Sequence, residues 1–115
     1  MPSDPPQGWY PRQGEVYLVR LDKLRPGLVI SVDELNRHAL DVCVVPVSTP
    51  AHRQFARVRL PIRSGDGGLE HDSWARCDQV TTIPKSRLQF PPLGTPSDAV
   101  LHVVEERVRL VLGLI

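Results

Sequence analysis

Arg76 and Asp78 stand two residues apart in the run Arg-Cys-Asp-Gln at 76–79. In an extended strand, side chains two apart share a face, so a guanidinium and a carboxylate would lie side by side there with Cys77 turned the opposite way. Upstream, Arg25 precedes Pro26, and the residue before a proline is held in extended or turn backbone. A guanidinium fixed in that way can donate two bonds at once to a phosphate. Ser48 and Thr49 follow the β-branched run that ends at Val47 and add hydroxyl donors. A base to take a proton, cations to hold charge, an acid and a hydroxyl are what phosphodiester transfer without a metal requires. Each feature also has a plainer reading. The Arg-Asp pair can be a same-face ion pair, Arg25 an exposed hairpin residue, Ser48 and Thr49 turn formers, and Gln79 a polar strand residue or a support for the pair.

The other chemistry-bearing residues form no rival site. Cys43 and Cys77 are too few and too far apart for a disulfide framework or a zinc site, and read as small apolar strand residues. The chain has no Gly-rich phosphate loop, no zinc-spaced histidine pair and no nucleophile elbow, so no metal and no cofactor is expected. Nor do the histidines suggest a two-imidazole site. His102 falls in a terminal helix, His38 in a short turn, and His71, next to Asp72, would point away from it in any strand. His52, in a basic loop, is kept as a nucleic-acid contact. The net charge of +1 conceals a gap between Asp41 and Asp66 that holds Arg53, Arg57, Arg59 and Arg63 and no carboxylate. Arg57 and Arg59 would share a strand face and could follow a phosphate backbone; a charged strand edge that resists aggregation is the alternative.

These residues must be held by short strands. With 115 residues, 41% apolar and 23% charged, the chain has the length and composition of one globular domain with a modest core. Its apolar runs are far too short to span a membrane. The N-terminus lacks a basic start and an apolar stretch, so no secretory signal is read and a cytoplasmic location is expected. Residues 1–11 carry Pro2, Pro5, Pro6 and Pro11 and read as an extended, mobile tail, leaving 12–115 as a single domain. Residues 15–21 alternate as a strand, Asp22–Arg25 turn the chain, and 27–32 form a second strand of a hairpin. Asp33 can cap a short helix or turn up to Leu40. Residues 41–47 read as a buried central strand that ends or bulges at Pro46. Further strands cover 56–62 and 73–79, separated by a flexible Ser-Gly-Asp-Gly-Gly turn at 64–68. Thr95 and Pro96 start a terminal helix with Asp98 at its positive end, and Leu101, Val104, Val108, Val111 and Ile115 recur at helical spacing for docking on a sheet. The fold class is mainly β with a C-terminal α-helix, arranged as a small, partly closed barrel.

Five stretches in fixed order, Gly-Glu-Val-Tyr-Leu-Val (14–19), Arg-Pro-Gly-Leu-Val-Ile-Ser (25–31), Asn36-Arg37, Val-Val-Pro-Val-Ser-Thr (44–49) and Arg-Cys-Asp-Gln-Val-Thr-Thr-Ile (76–83), resemble the MazF/PemK/Kid ribonuclease toxins from about residue 12 onward. The resemblance implies an SH3-like barrel of the kind shared with gyrase-poisoning toxins. It also implies the activity of a type II toxin: ribosome-independent, metal-free cleavage of single-stranded RNA to a 2′,3′-cyclic phosphate and a 5′-hydroxyl. It carries the catalytic roles to Arg25, Ser48, Arg76 as acid and Asp78 as base, with Thr49, His52, Arg53, Arg57 and Gln79 as substrate contacts. An acidic antitoxin and a second copy of the chain are the implied partners. A gyrase-poisoning binder, or an RNA-binding module without catalysis, is the alternative on the same barrel. Two departures stand out: only Asp22-Lys23-Leu24 separates Leu21 from Arg25, where many members have a longer loop, and Thr81 and Pro84 replace an Arg and an Asp.

Overall fold

A computed structural model describes residues 3–49 and 57–114 of the chain. Alternation at the start of the domain produces the expected hairpin, β1 (Val16–Arg20) against β2 (Leu24–Val29). The turn is tighter than the sequence suggests. Arg25 lies inside β2, directly opposite Val19, and only residues 21–23 reverse the chain. The short helix α1 (Asp33–His38) follows; Val32, not Asp33, occupies its N-cap position. Asp33 instead accepts a hydrogen bond from the backbone N–H of Gln13 at 2.6 Å.

The central strand β3 (Asp41–Ser48) runs straight through Pro46. Its first half pairs with β6 (Thr81–Pro84) and its last two residues with β5 (Ser73–Arg76). Pro46 falls where β3 exchanges one partner for the other, so its missing N–H interrupts no ladder on that side. The sheet continues in the order β4 (Arg59–Ile62), β5, β3, β2, β1, β7 (Leu88–Gly94). The stretch expected to be a flexible turn is an ordered 3-10 turn, Asp66–Gly68, that meets the end of β7. Gly68 has φ +76, and a Cβ there would lie 1.9 Å from the Leu93 carbonyl oxygen. Only glycine lets these two backbones touch and bring the ends of the curled sheet together.

Strand alternation divides the apolar residues into two clusters on opposite faces of the sheet. Val16, Leu28, Val45, Val47, Ile62, Leu69, Ala75 and Val104 form one, and Tyr17, Val19, Val29, Val42, Val44, Ile83 and Leu88 the other. The first is covered by α2 (Asp98–Leu112), whose Val100, Leu101, Val104 and Val108 face the sheet. The cap of α2 is Ser97, whose Oγ accepts from the Val100 N–H; Thr95 and Pro96 lie outside the helix. The proline-rich segment lies against the second cluster: the Ser3 N–H donates to the Phe90 carbonyl at 2.8 Å, and Trp9 packs edge-on against Tyr17 and Phe90. Asn36 is fully buried and donates to the Ser31 carbonyl, while Lys85 donates to the Asn36 carbonyl. Among the described residues, no helix is long and apolar enough to cross a membrane.

Candidate active site

Two strand ends and one turn converge on a groove. Ser48 closes β3, buried, and Arg76 closes β5, whose partner register sets Trp74 opposite Ser48 and Ala75 opposite Val47. This register lets the Arg76 Nε–H donate to Ser48 Oγ at 2.7 Å. The backbone then turns, with the Gln79 N–H donating to the Arg76 carbonyl at 2.9 Å, and Gln79 Oε1 accepts from Arg76 Nη1 at 3.2 Å. Arg25 enters from β2. Its Nε and Nη2 donate to the two carboxylate oxygens of Asp22 at 3.0 and 3.1 Å, which leaves the outer edge of its fork for a further anion.

Arg25 and Arg76 both line two adjoining cavities of about 510 and 520 Å³ and so form the ridge between them. The first lobe has apolar walls from Leu18, Leu24, Val47, Leu69 and Leu93, with Lys23, Ser48, Thr49, Glu70, His71 and Ser73 among them. The second is more polar, with Asp22, Gln79, Thr81, Thr82 and Arg87. A ridge of two guanidiniums between an apolar and a polar lobe can hold a phosphate with a base on each side.

Like charges crowd the ridge. Burial, then the neighbouring Arg59 and Arg25 charges, pull the Arg76 pKa below the ordinary arginine value. The Arg25 hydrogen bonds hold the Asp22 carboxyl below the usual carboxylate range.

The structure separates residues that the sequence reading grouped together. β5 ends at Arg76, so Cys77 and Asp78 lie in a turn and Arg76 and Asp78 are not same-face strand neighbours. Asp78 accepts from Arg59 through both oxygens, at 3.0 and 3.1 Å, and is not among the residues lining either lobe. That contact lowers its pKa. Arg59 is correspondingly buried and does not share an exposed face with Arg57, which sits exposed in the turn before β4. Arg107 Nη1 of α2 donates to the Arg59 carbonyl at 3.2 Å and braces the same corner. Thr49 is exposed on the wall of the first lobe. His52 and Arg53 lie outside the described residues. Cys77 is buried, and desolvation pushes its thiol up to about 11, in keeping with a packing role. The sequence reading gave no site role to the wall residues Asp22, Lys23 and Glu70, and it set His71 aside. The last two sit on an irregular segment before β5, where strand periodicity says nothing about direction.

Residues 12–112 match the family model for PemK-like, MazF-like toxins of type II toxin–antitoxin systems. The chain is 30% identical over 69 residues to the endoribonuclease MazF3 of Mycobacterium tuberculosis, an alignment covering 60% of this chain and 64% of that protein. The match therefore spans less than two thirds of the relative's length. Among solved structures, an endoribonuclease in complex with its cognate antitoxin from a mycobacterial species superposes with a TM-score of 0.80 at 25% identity, covering 91% of this chain and 97% of that one. The M. tuberculosis toxin MazF-mt6 gives 0.78 at 24% identity over 88% and 98%. A MazE–MazF structure from Deinococcus radiodurans gives 0.77 at 19% identity over 92% and 99%. These last two establish a shared fold.

Proposed function

The chain belongs to the PemK-like, MazF-like toxins of type II toxin–antitoxin systems, and from that premise we propose that it is an endoribonuclease cutting single-stranded RNA without a metal. One observation carries the reading: Arg25 and Arg76 stand on the ridge between two lobes, with Arg76 already hydrogen-bonded to Ser48 on the wall of the first. The scissile phosphate rests on the two guanidiniums, and the flanking nucleotides enter the lobes. As the ribose 2′-hydroxyl gives its proton to a general base and its oxygen attacks phosphorus, negative charge grows on the phosphate oxygens, where fixed cations and a hydroxyl donor stabilise it most. The P–O5′ bond breaks, and Arg76, whose pKa is already depressed, protonates the departing oxygen. The products are a 2′,3′-cyclic phosphate and a 5′-hydroxyl. Thr49 and Gln79 contact the RNA on either side of the ridge.

The same proposal includes a second copy of the chain, an acidic antitoxin segment that competes for the groove, and a cytoplasmic site of action where the RNA is found. The deciding experiment incubates the purified chain with a long mixed-sequence RNA in EDTA and maps the cut ends. Cyclic phosphate and 5′-hydroxyl ends support the reading. Intact RNA together with inhibited gyrase would replace it with a binding toxin on the same barrel.

A further inference from the structure

Resting on that reading, we propose that Asp22 is a positioning residue for the cleavage: it holds the Arg25 guanidinium along one edge, so that the free end of the fork is set for the scissile phosphate before RNA arrives. The grip is two-pronged. Arg25 Nε donates to one Asp22 carboxylate oxygen at 3.0 Å, and Nη2 donates to the other at 3.1 Å. That geometry uses one side of the planar fork and leaves Nη1 and the second Nη2 hydrogen at its end. An arginine side chain has several free torsions, and ordering them costs entropy when a ligand must do it. A guanidinium already ordered meets the charge that grows in the transition state without reorganising.

The β1–β2 turn makes this contact local. The Leu21 N–H donates to the Lys23 carbonyl at 3.1 Å, and across the hairpin Arg20 stands opposite Leu24 and Val19 opposite Arg25. Residues 21–23 therefore reverse the chain and return Asp22 to the side chain of Arg25. Asp22 stands on the substrate side of this turn, since it lines the polar lobe together with Arg25, Arg76 and Gln79. Its charge also reaches Arg76, where with Asp78 it offsets part of the pull that burial, Arg59 and Arg25 exert. The Arg25 bonds first, and the Lys23 backbone second, keep the Asp22 carboxyl below the usual carboxylate range, so it is ionised at neutral pH. The pair does little for stability: the Asp22 side chain is 71% exposed, and an ion pair that open to water adds little to folding. Its consequence is direction.

The test reads the contact and the chemistry separately. In wild type the Arg25 Nε–H signal in NMR, identified by its loss in Arg25→Ala, should lie away from the position of a free arginine, and in Asp22→Asn it should return there. On one single-stranded RNA in EDTA, Asp22→Asn and Asp22→Ala should each lose about 10- to 100-fold in kcat, with KM within a few-fold and circular dichroism unchanged. Placed on Arg25→Ala, Asp22→Ala should cost nothing further, because it acts through that side chain. A wild-type Nε–H signal already at the free position overturns the assignment. So does an unchanged kcat, an equal further loss on Arg25→Ala, or a faster variant with lower KM, which would make Asp22 a competitor of the phosphate. A wild-type chain that leaves RNA intact while its Nε–H signal is displaced overturns the proposed function, and with it the positioning role, but not the contact.

Discussion

Arginines do two different jobs around this site. Arg25 and Arg76 face the groove, while Arg59, its side chain 5% exposed, pairs with Asp78 and holds the 77–79 turn from behind. Removing a groove arginine should affect chemistry and spare the fold: Arg25→Ala and Arg76→Ala are each expected to lose roughly 10²–10⁴-fold in kcat with unchanged circular dichroism. Asp78→Ala should behave in the reverse sense. It deletes the carboxylate that receives two bonds from a buried guanidinium, and is expected to cost about 3 kcal/mol of stability in urea unfolding at pH 7. The sign with pH follows from the depressed pKa of Asp78. Its contribution is present above the unfolded carboxylate value, near 4, and fades as pH falls through the lower folded value. The gap between wild type and variant should therefore shrink in melts taken below about pH 4; a gap that widens on acidification would contradict the pairing.

At the level of elements, closure and capping make sharper demands than strand propensity. Ser97 accepts from the Val100 N–H, so Ser97→Ala should lower stability by about 1 kcal/mol, whereas Thr95→Ala, outside the helix, should be near neutral. Equal losses in the two variants would move the helix start back to Thr95. Gly68 is the harder constraint. An alanine there combines a left-handed φ with a clash against the Leu93 carbonyl, and Gly68→Ala is expected to lose at least about 2 kcal/mol. Because Gly68 and Leu93 also line the first lobe, residual folded protein should show raised KM for RNA.

For the whole molecule, the exposed Leu110, Leu112 and Leu114 at the end of α2 leave apolar surface that a second copy can cover. We expect a homodimer; sedimentation of a fully active monomer at tens of micromolar would rule it out. RNA and an acidic antitoxin should both bind less tightly as salt rises. Arg57→Glu, on an exposed turn, should weaken both with the fold intact, and flat affinity from low to high salt would argue for an apolar groove. Much of this architecture was readable from pattern alone. Alternation marked β1, a dense β-branched run marked β3, helical spacing marked α2, and five ordered stretches pointed to the family, because local periodicity and backbone preference act within a few residues of one another. The partnerships were not readable. That Asp78 turns to Arg59, that Ser48 meets Arg76, and that His71 joins the groove wall depend on β5 ending at Arg76 and on β3 exchanging partners at Pro46. Those contacts join residues many positions apart in sequence, and strand register and ring closure, which no local window contains, decide which of them meet.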